Sequence, residues 1–482
     1  MRNHKSFLLT SHFSLLTILL LLCSPAAVHA QWEPDVRLTY NDSSSMLCSS
    51  DYGRAVSVDS QGGVHVVWYD FRDPPPGKGE IYYKRSTDWG NSWGPDVRLT
   101  FDSSYSWNPV IDVERQGQIH VAWLDRRYGF VWGIFYKRST DGGASWEPDV
   151  SLSDSGQFDY LFLRGITSDE QGWVHLVCIN RVLNPPGPIQ LWHRRSRDGG
   201  STWDPWSLVK DSVASYDATL ASGRDHDVHI LTGYPYYLRS SDGGTTWSDT
   251  VFTVTPFALQ PRLNVDRANR VHALWLDQRE GPFIYELYYK QSTDGGMTWQ
   301  PDFRLTHSDT IPDYNPVIAG DSSGRIHVVY VVRNQGLFHK MSTDAGMTWE
   351  PSYQIVPNYP NTPHITVDSK VNAHLVFVSQ PDTSRRNGEI YYKRWLSSQG
   401  VEQYAVPSPD SRFPFSIRPN PFVSYTLVPG HASVRFALYD ISGRRVGVYR
   451  GDRVGVGLAP GVYFLRPEGN KDAKPVRVVK LR

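Results

Sequence analysis

The chain has 482 residues, 40% of them hydrophobic, with Lys+Arg and Asp+Glu equal at 49 each. That length exceeds one ordinary compact domain, and the balanced charge leaves no net field to draw nucleic acid or an acidic membrane surface. Seventeen Trp and 27 Tyr beside 39 Gly and 33 Pro read as an all-β chain with many turns, because aromatics favour strands and Gly and Pro punctuate them.

Residues 1–30 read as a signal peptide. Arg2 and Lys5 make a charged start, residues 15–22 are apolar, and Val28-His29-Ala30 fits a small-residue cleavage site. The apolar run is shorter than the about 20 residues a spanning helix needs, so no transmembrane segment is expected in the mature chain. A lipoprotein reading at Cys23 meets Leu22 where a small residue belongs. After cleavage Cys48 and Cys178 remain, which fit two separate thiols as well as one bridge.

The mature chain opens with QWEPDVRLT (31–39), the tail end of a repeat whose full form follows. A Ser-x-Asp-x-Gly-x-(Ser/Thr)-Trp motif occurs six times, with its Asp at Asp88, Asp141, Asp198, Asp242, Asp294 and Asp344. A step of roughly 50 residues marks stacked supersecondary units. Within a unit the order is constant. In the second, PVIDVE is a first strand, QGQ a turn, IHVAWLD a second strand and GIFYKRS a third; the motif follows as a turn, then a short fourth strand, PDVSL. Four short antiparallel strands per unit make a propeller blade. In the motif, Asp can accept backbone N–H groups, Gly permits positive φ, and the Trp can fold back over its own hairpin. The alternative is calcium or sugar held at the Asp.

Second strands number seven, each with a His in one register: His65, His120, His175, His229, His272, His327 and His374. Facing sheets lie about 10 Å apart and a metal–nitrogen bond is about 2 Å, so no shared metal is expected; hydrogen bonding between blades is. No cofactor is expected either. Three second strands end in Trp-x-Asp-x-Arg, giving Asp70/Arg72, Asp125/Arg127 and Asp277/Arg279. They lead into the loops between second and third strands, on the face where propellers bind ligands. Structural pairing, ligand binding and catalysis all fit. Trp107 and Trp132 are further ligand-binding candidates, with Tyr105, Tyr128, Phe130, Tyr160 and Tyr314 as other loop aromatics that stack on sugars or pack on one another.

The seventh unit reaches a third strand, EIYYK (389–393), and then loses the pattern. The orphan fourth strand at 32–39 completes it. The expected fold is therefore an all-β, seven-bladed β-propeller over 31–400, closed by the N-terminal strand, since closure removes an unpaired edge. Residues 401–415 read as a Pro/Ser-containing linker, and 416–482 as a small immunoglobulin-like β-sandwich.

The six-fold motif resembles the Asp-box, or BNR repeat, of the sialidase-like β-propellers. The resemblance spans roughly residues 31–400 and implies the propeller. Sialidases of that group use three arginines on a substrate carboxylate, a Tyr nucleophile assisted by Glu, an Asp acid/base and an Arg-Ile-Pro signature, on six blades. No Arg-Ile-Pro occurs here, so no catalytic residue is assigned. In the tail, Pro419-Asn420-Pro421-Phe422, Tyr439-Asp440 with Gly443, Pro460-Gly461-Val462-Tyr463 and the basic close resemble the C-terminal sorting domain of the type IX secretion system. That resemblance implies passage through the type IX machinery to an extracellular or outer-membrane-surface location. The function expected is binding of an extracellular glycan or protein ligand by a monomer. The alternative is a sialidase-like glycoside hydrolase of the exo-α-sialidase type.

Overall fold

The computed structural model describes residues 31–397 and 425–481, less positions 42, 50–52, 74–77, 115, 130–131, 154–157, 184, 234–235, 252–257, 282, 308–312, 381–386, 429–433, 441–443, 452 and 469–475. The predicted signal peptide, the linker, Phe130, Pro419-Asn420-Pro421-Phe422 and Gly443 lie outside the described residues. The chain divides into two units, Met1–Gly400 and Val401–Arg482. Among the described residues all regular structure is strand, and no helix is long and apolar enough to cross a membrane.

Among the described residues of the first unit the repeat folds into seven antiparallel sheets. The second sheet is typical: Ser106–Val113, Ile119–Asp125, Gly133–Ser139 and Val150–Ser151 pair in chain order. The first strand of each sheet lies against that of the next, and that of the seventh against that of the first. Second strands are therefore covered on both faces. Val64–Asp70, Ile119–Asp125, Val271–Asp277 and Ile326–Val332 are buried at every position, which is why they read as near-continuous apolar runs and not as alternation.

The seventh sheet consists of Asn361–Val367, Ala373–Ser379 and Glu389–Leu396, and takes its outer strand from the N-terminus. Trp32 pairs with Trp395, and Val36 with Tyr392. Side chains repeat a clamp used elsewhere in the unit. Glu80 binds Arg98 at 2.8 Å and Thr100 at 2.6 Å, and Glu286 binds Arg304 and Thr306. In the seventh sheet Glu389 binds Arg37 at 2.8 Å and accepts the Thr39 hydroxyl, although 352 residues separate Arg37 from it in sequence. Lys393–Asp35 and Arg394–Glu33 contacts, at 2.6 and 2.8 Å, add to it.

Neighbouring sheets are latched by the repeat's own aromatics, and here two expectations are corrected. The motif Trp does not fold over its own hairpin. Trp146 packs edge-on against Tyr83 of the preceding sheet at 4.9 Å, Trp203 against Tyr136, Trp299 against Tyr237 and Trp349 against Tyr289. Trp247 meets His193, Trp93 meets Tyr392 of the seventh sheet, and Trp32 meets His339 of the sixth. The ring cannot lie over its own turn because the outer strand carries it beyond the sheet edge. Nor do the register histidines bond between sheets. The Nδ1 atoms of His65 and His120 lie 2.6 Å from the Tyr83 and Tyr136 hydroxyls of their own sheets, and Nε2 of His120 lies 2.9 Å from Glu114. Cross-strand neighbours of one sheet are simply nearer than the facing sheet.

Six of these seven latches need a glycine, the exception being Trp32 on His339. A Cβ on Gly143 (φ 83°) would stand 2.0 Å from the Tyr83 hydroxyl oxygen, and Tyr83 is itself pinned by His65. Gly143→Ala should therefore destabilise the protein by about 2–3 kcal/mol, from left-handed backbone strain plus overpacking. The urea midpoint measures it; a midpoint equal to the parent's would refute the latch.

In the second unit the described strands form one sheet, ordered Arg445–Arg450, Arg435–Tyr439, Gly461–Pro467 and Val476–Lys480. Its core gathers Val428, Phe436, Leu438, Val454, Leu465 and Val478. A second layer of the expected sandwich is not among the described residues.

Candidate functional site

Antiparallel order puts the loops between second and third strands on one face with the connections between sheets. The Asp-box turns lie on the other. Asp70, Asp125 and Asp277 sit where second strands reach the loop face, and all three are fully buried. Each carboxylate accepts the indole N–H of the Trp two residues before it, at 3.0–3.1 Å, and the backbone N–H of the Arg two residues after it. Arg72, Arg127 and Arg279 then bridge to the outer strand's Asp96, Asp149 and Asp302 at 2.5–3.0 Å. Their guanidiniums lie over Tyr82, Phe135 and Tyr288. Burial alone would raise the Asp70 carboxyl, but Arg72, Ser45 and Trp68 donate to it and hold it below the usual carboxylate range. The six groups thus form clamps across single sheets that root the loops following them.

Trp107 packs on Tyr69 at 5.3 Å and edge-on to Trp132, and Arg126 lies 4.2 Å over the Trp132 ring. Tyr128 and Tyr160 are exposed beside Phe135 and Phe162. Tyr105 and Tyr314 are half-buried.

The Asp-box carboxylates serve their turns. Asp141 accepts the Ser145 hydroxyl and the Ser145 and Ala144 amides, at 2.5–2.9 Å, and the Ser139 hydroxyl. The Ser145 bonds hold Asp141 down to about 2, and the Thr298 hydroxyl does the same for Asp294. Asp88, Asp198, Asp242 and Asp344 repeat the arrangement. Among the described residues no group of three or more His, Cys, Asp or Glu converges as a metal would require. Cys48 and Cys178 are buried and not bridged. Burial pushes Glu80 up to about 7, yet it is 4% exposed and bound to Thr100 and Arg98 inside its sheet.

Two groups lie outside the repeated motifs. The first lines the axis between the first strands. Arg54, Arg164, Arg262 and His364 surround a cavity of about 50 Å³. Ligand pockets run to roughly 300–1,000 Å³, so this channel admits a few waters or a small anion and no sugar ring. The repeat carried a signal for it. Opposite the second strand, Val110 and Val317 follow a proline in the second and sixth sheets, whereas Arg262 and His364 hold that register in the fifth and seventh. A chain bulge beside Gly165 admits Arg164 in the third. The second group is a belt of amides at the loop-face mouth of the axis. Gln260 and Asn315 exchange bonds of 2.7 and 3.2 Å, and Asn315 donates to Asn361 at 2.6 Å. Asn108, Gln260, Asn315 and Thr362 each precede a proline and hold φ of 44–51°, a conformation proline disfavours in its predecessor.

Residues 77–270 match the model of a BNR repeat-like domain. Among solved structures, the polysaccharide lyase Uly1 superposes with a TM-score of 0.51 at 9% identity, over 76% of this chain and 99% of that one. A protein of unknown function from Dyadobacter fermentans DSM 18053 gives 0.49 at 13% identity, over 76% of this chain and 99% of that one. The Hadza microbial sialidase Hz136 gives 0.44 at 15% identity; 60% of this chain covers 63% of it. No curated protein matches significantly. Residues 77–270 are thus similar to a BNR repeat-like domain, and the first unit resembles Uly1 in fold alone.

Proposed function

We propose that the first unit is a seven-bladed β-propeller, closed by the N-terminal strand, that acts outside the cell or at the outer-membrane surface as a binding module for glycan or protein ligands. The seven sheets, the return of the last first strand to the first, and the pairing of residues 31–37 with Glu389–Leu396 support the ring. The observation that carries the binding reading is the amide belt of Gln260, Asn315 and Asn361 on the loop face, with Tyr128, Tyr160 and Phe283 exposed on that face. Amides with aromatic planes are the groups that orient a sugar or an extended chain without reacting with it. In this reading residues 1–30 direct export, and residues 416–482, with an immunoglobulin-like fold, engage the type IX machinery.

The second reading, a sialidase-like hydrolase, draws on the convergence of three arginines, Arg54, Arg164 and Arg262, on one channel. One preparation tests both. Protein recovered from the cell surface should begin at Gln31 and yield no peptides beyond the linker by mass spectrometry. It should bind a restricted set of spots on a glycan or protein array and release no fluorophore from a synthetic sialoside. Release of fluorophore at enzymatic rates would establish the hydrolase, and a retained tail on anchored protein would sink the sorting assignment.

A further inference from the structure

The propeller's repeat is broken most plainly in its loops. Between second and third strands the connections are 71–79, 126–132, 182–188, 278–285 and 380–388 in five sheets, but only 233–235 and 333–335 in the fourth and sixth. The fifth sheet's loop therefore stands between two short connections. On its sixth-sheet side this leaves a cleft of about 540 Å³, lined by Phe283, Tyr285 and Tyr314 with Gln260, Asp313 and Arg333. That volume lies within the range of ligand pockets, unlike the axial channel.

The loop bearing Phe283 is rooted at its base. Arg279 ties it to Asp277 and Asp302, Arg304 reaches Glu280 at 3.2 Å, and the Tyr288 hydroxyl donates to Glu280. Bonds from Ile284 N to Gly281 O and from Gly281 N to Gln278 O close its turn. On this base Phe283 is 81% exposed and holds φ 66°. Phe283 is the third residue of that turn, a place that favours glycine or asparagine; a bulky residue held there with its ring in water serves no core, and such strain gathers at ligand sites. Opposite it, Gln260 of the amide belt reaches the cleft floor, and Tyr314 is half-buried in the wall. Asp313 is 1% exposed, whereas Arg333 lies exposed on the short turn. The accessible charge of the cleft is therefore positive.

We propose that this cleft between the fifth and sixth sheets is a binding subsite for an acidic sugar, with a pyranose ring stacked on Phe283, its hydroxyls on Gln260 and its anionic group on Arg333. The anion is a carboxylate, as in a uronate, or a sulfate ester; both present oxygens to a guanidinium. The Asp277/Arg279 clamp is a positioning device for the loop and touches no ligand. The proposal rests on the glycan-binding reading given above.

The test uses the full mature chain on an array holding neutral, uronate-bearing, sulfated and sialylated glycans, with a peptide array in parallel. The parent should prefer acidic glycans, and the uronate and sulfate spots separate the two anions. Phe283→Ala should weaken binding about tenfold, the loss of one stacking contact, and Phe283→Trp should restore it. Arg333→Ala should abolish the preference for acidic over neutral glycans. Both side chains are exposed, so both variants should melt with the parent. Glycan binding that survives Phe283→Ala and Arg333→Ala unchanged would overturn the cleft and leave glycan binding standing elsewhere. Binding to no glycan, or to peptides alone, would overturn the glycan reading itself and the cleft with it.

Discussion

Deletion of residues 32–39 is expected to abolish the cooperative fold of the first unit, although the segment is short and far in sequence from the strand it pairs with. Three losses coincide. The third strand Glu389–Leu396 loses its ladder partner, with Trp32↔Trp395 and Val36↔Tyr392 among the pairs. Glu389, 1% exposed, loses both Arg37 and Thr39 and is left as a buried acid without its clamp. His339 loses the edge-on Trp32 ring that latches the seventh sheet to the sixth. Removing a buried leucine such as Leu38 alone costs about 2–5 kcal/mol, and stranding one partner of a buried ion pair costs about 3–5 kcal/mol. Their sum approaches the whole stability of an ordinary domain, about 5–15 kcal/mol. The freed edge should recruit other chains, so light scattering should report aggregation. The peptide 31–39 added in trans should partly restore monomer. A deletion variant that melts with the parent would mean that the ring is not closed by this strand.

The second large effect is loss of stability in acid, to which the third and sixth sheets each contribute a histidine pair and the fourth contributes His229, held by burial at about 3. In five sheets the register histidine bonds a tyrosine; in the third and sixth the tyrosine is replaced by His193 and His339, each 3.1 Å from its partner, His175 or His327. One imidazole must donate and the other accept, so the two cannot both be charged. Around the first pair stand Asp169, Arg195 and His226, with Trp247 edge-on. Around the second stand Arg325, Tyr353, Trp395 and Trp32. Burial holds His193 and His327 well below the ordinary histidine range and His339 at about 3. The folded state therefore refuses a proton that the unfolded chain accepts near pH 6.5. Stability is fully present above that pH and falls as the pH drops toward the folded value. At about 1.4 kcal/mol per unit and per proton, His339 alone costs about 2 kcal/mol by pH 5. His193→Tyr with His339→Tyr installs the majority pairing and should lessen, without abolishing, the fall of the urea midpoint between pH 7 and pH 5, because His229 remains buried beside Tyr237. Equal slopes for variant and parent would refute the account.

Much of this architecture was legible in the order of residues, because its determinants are local. An Asp that caps its own turn, a Gly that needs positive φ and an unbroken apolar second strand act within a few positions of themselves. Their recurrence made the units countable, and the orphan QWEPDVRLT pointed to its partner EIYYK. The Trp-x-Asp-x-Arg ends also stood out as charged groups on the loop face. What the sequence left open was who meets whom across sheets. The same Trp146 suits its own hairpin or a neighbour's Tyr83; only the stacking of one sheet on the next, about 50 residues away in sequence, makes it a latch. The same Asp277 and Arg279 suit a ligand or a clamp, and only the folded chain brings Asp302 within 2.5 Å of Arg279. Arg54, Arg164, Arg262 and His364 look like scattered departures from a Pro-Val register until the first strands gather round one axis. Phe283 looks like one more loop aromatic until the short turn 333–335 fails to cover it. Periodic local patterning determined the repeat and its turns; the tertiary structure alone decided the latches, the channel and the cleft, because each is made where residues distant in sequence come within van der Waals or hydrogen-bond reach.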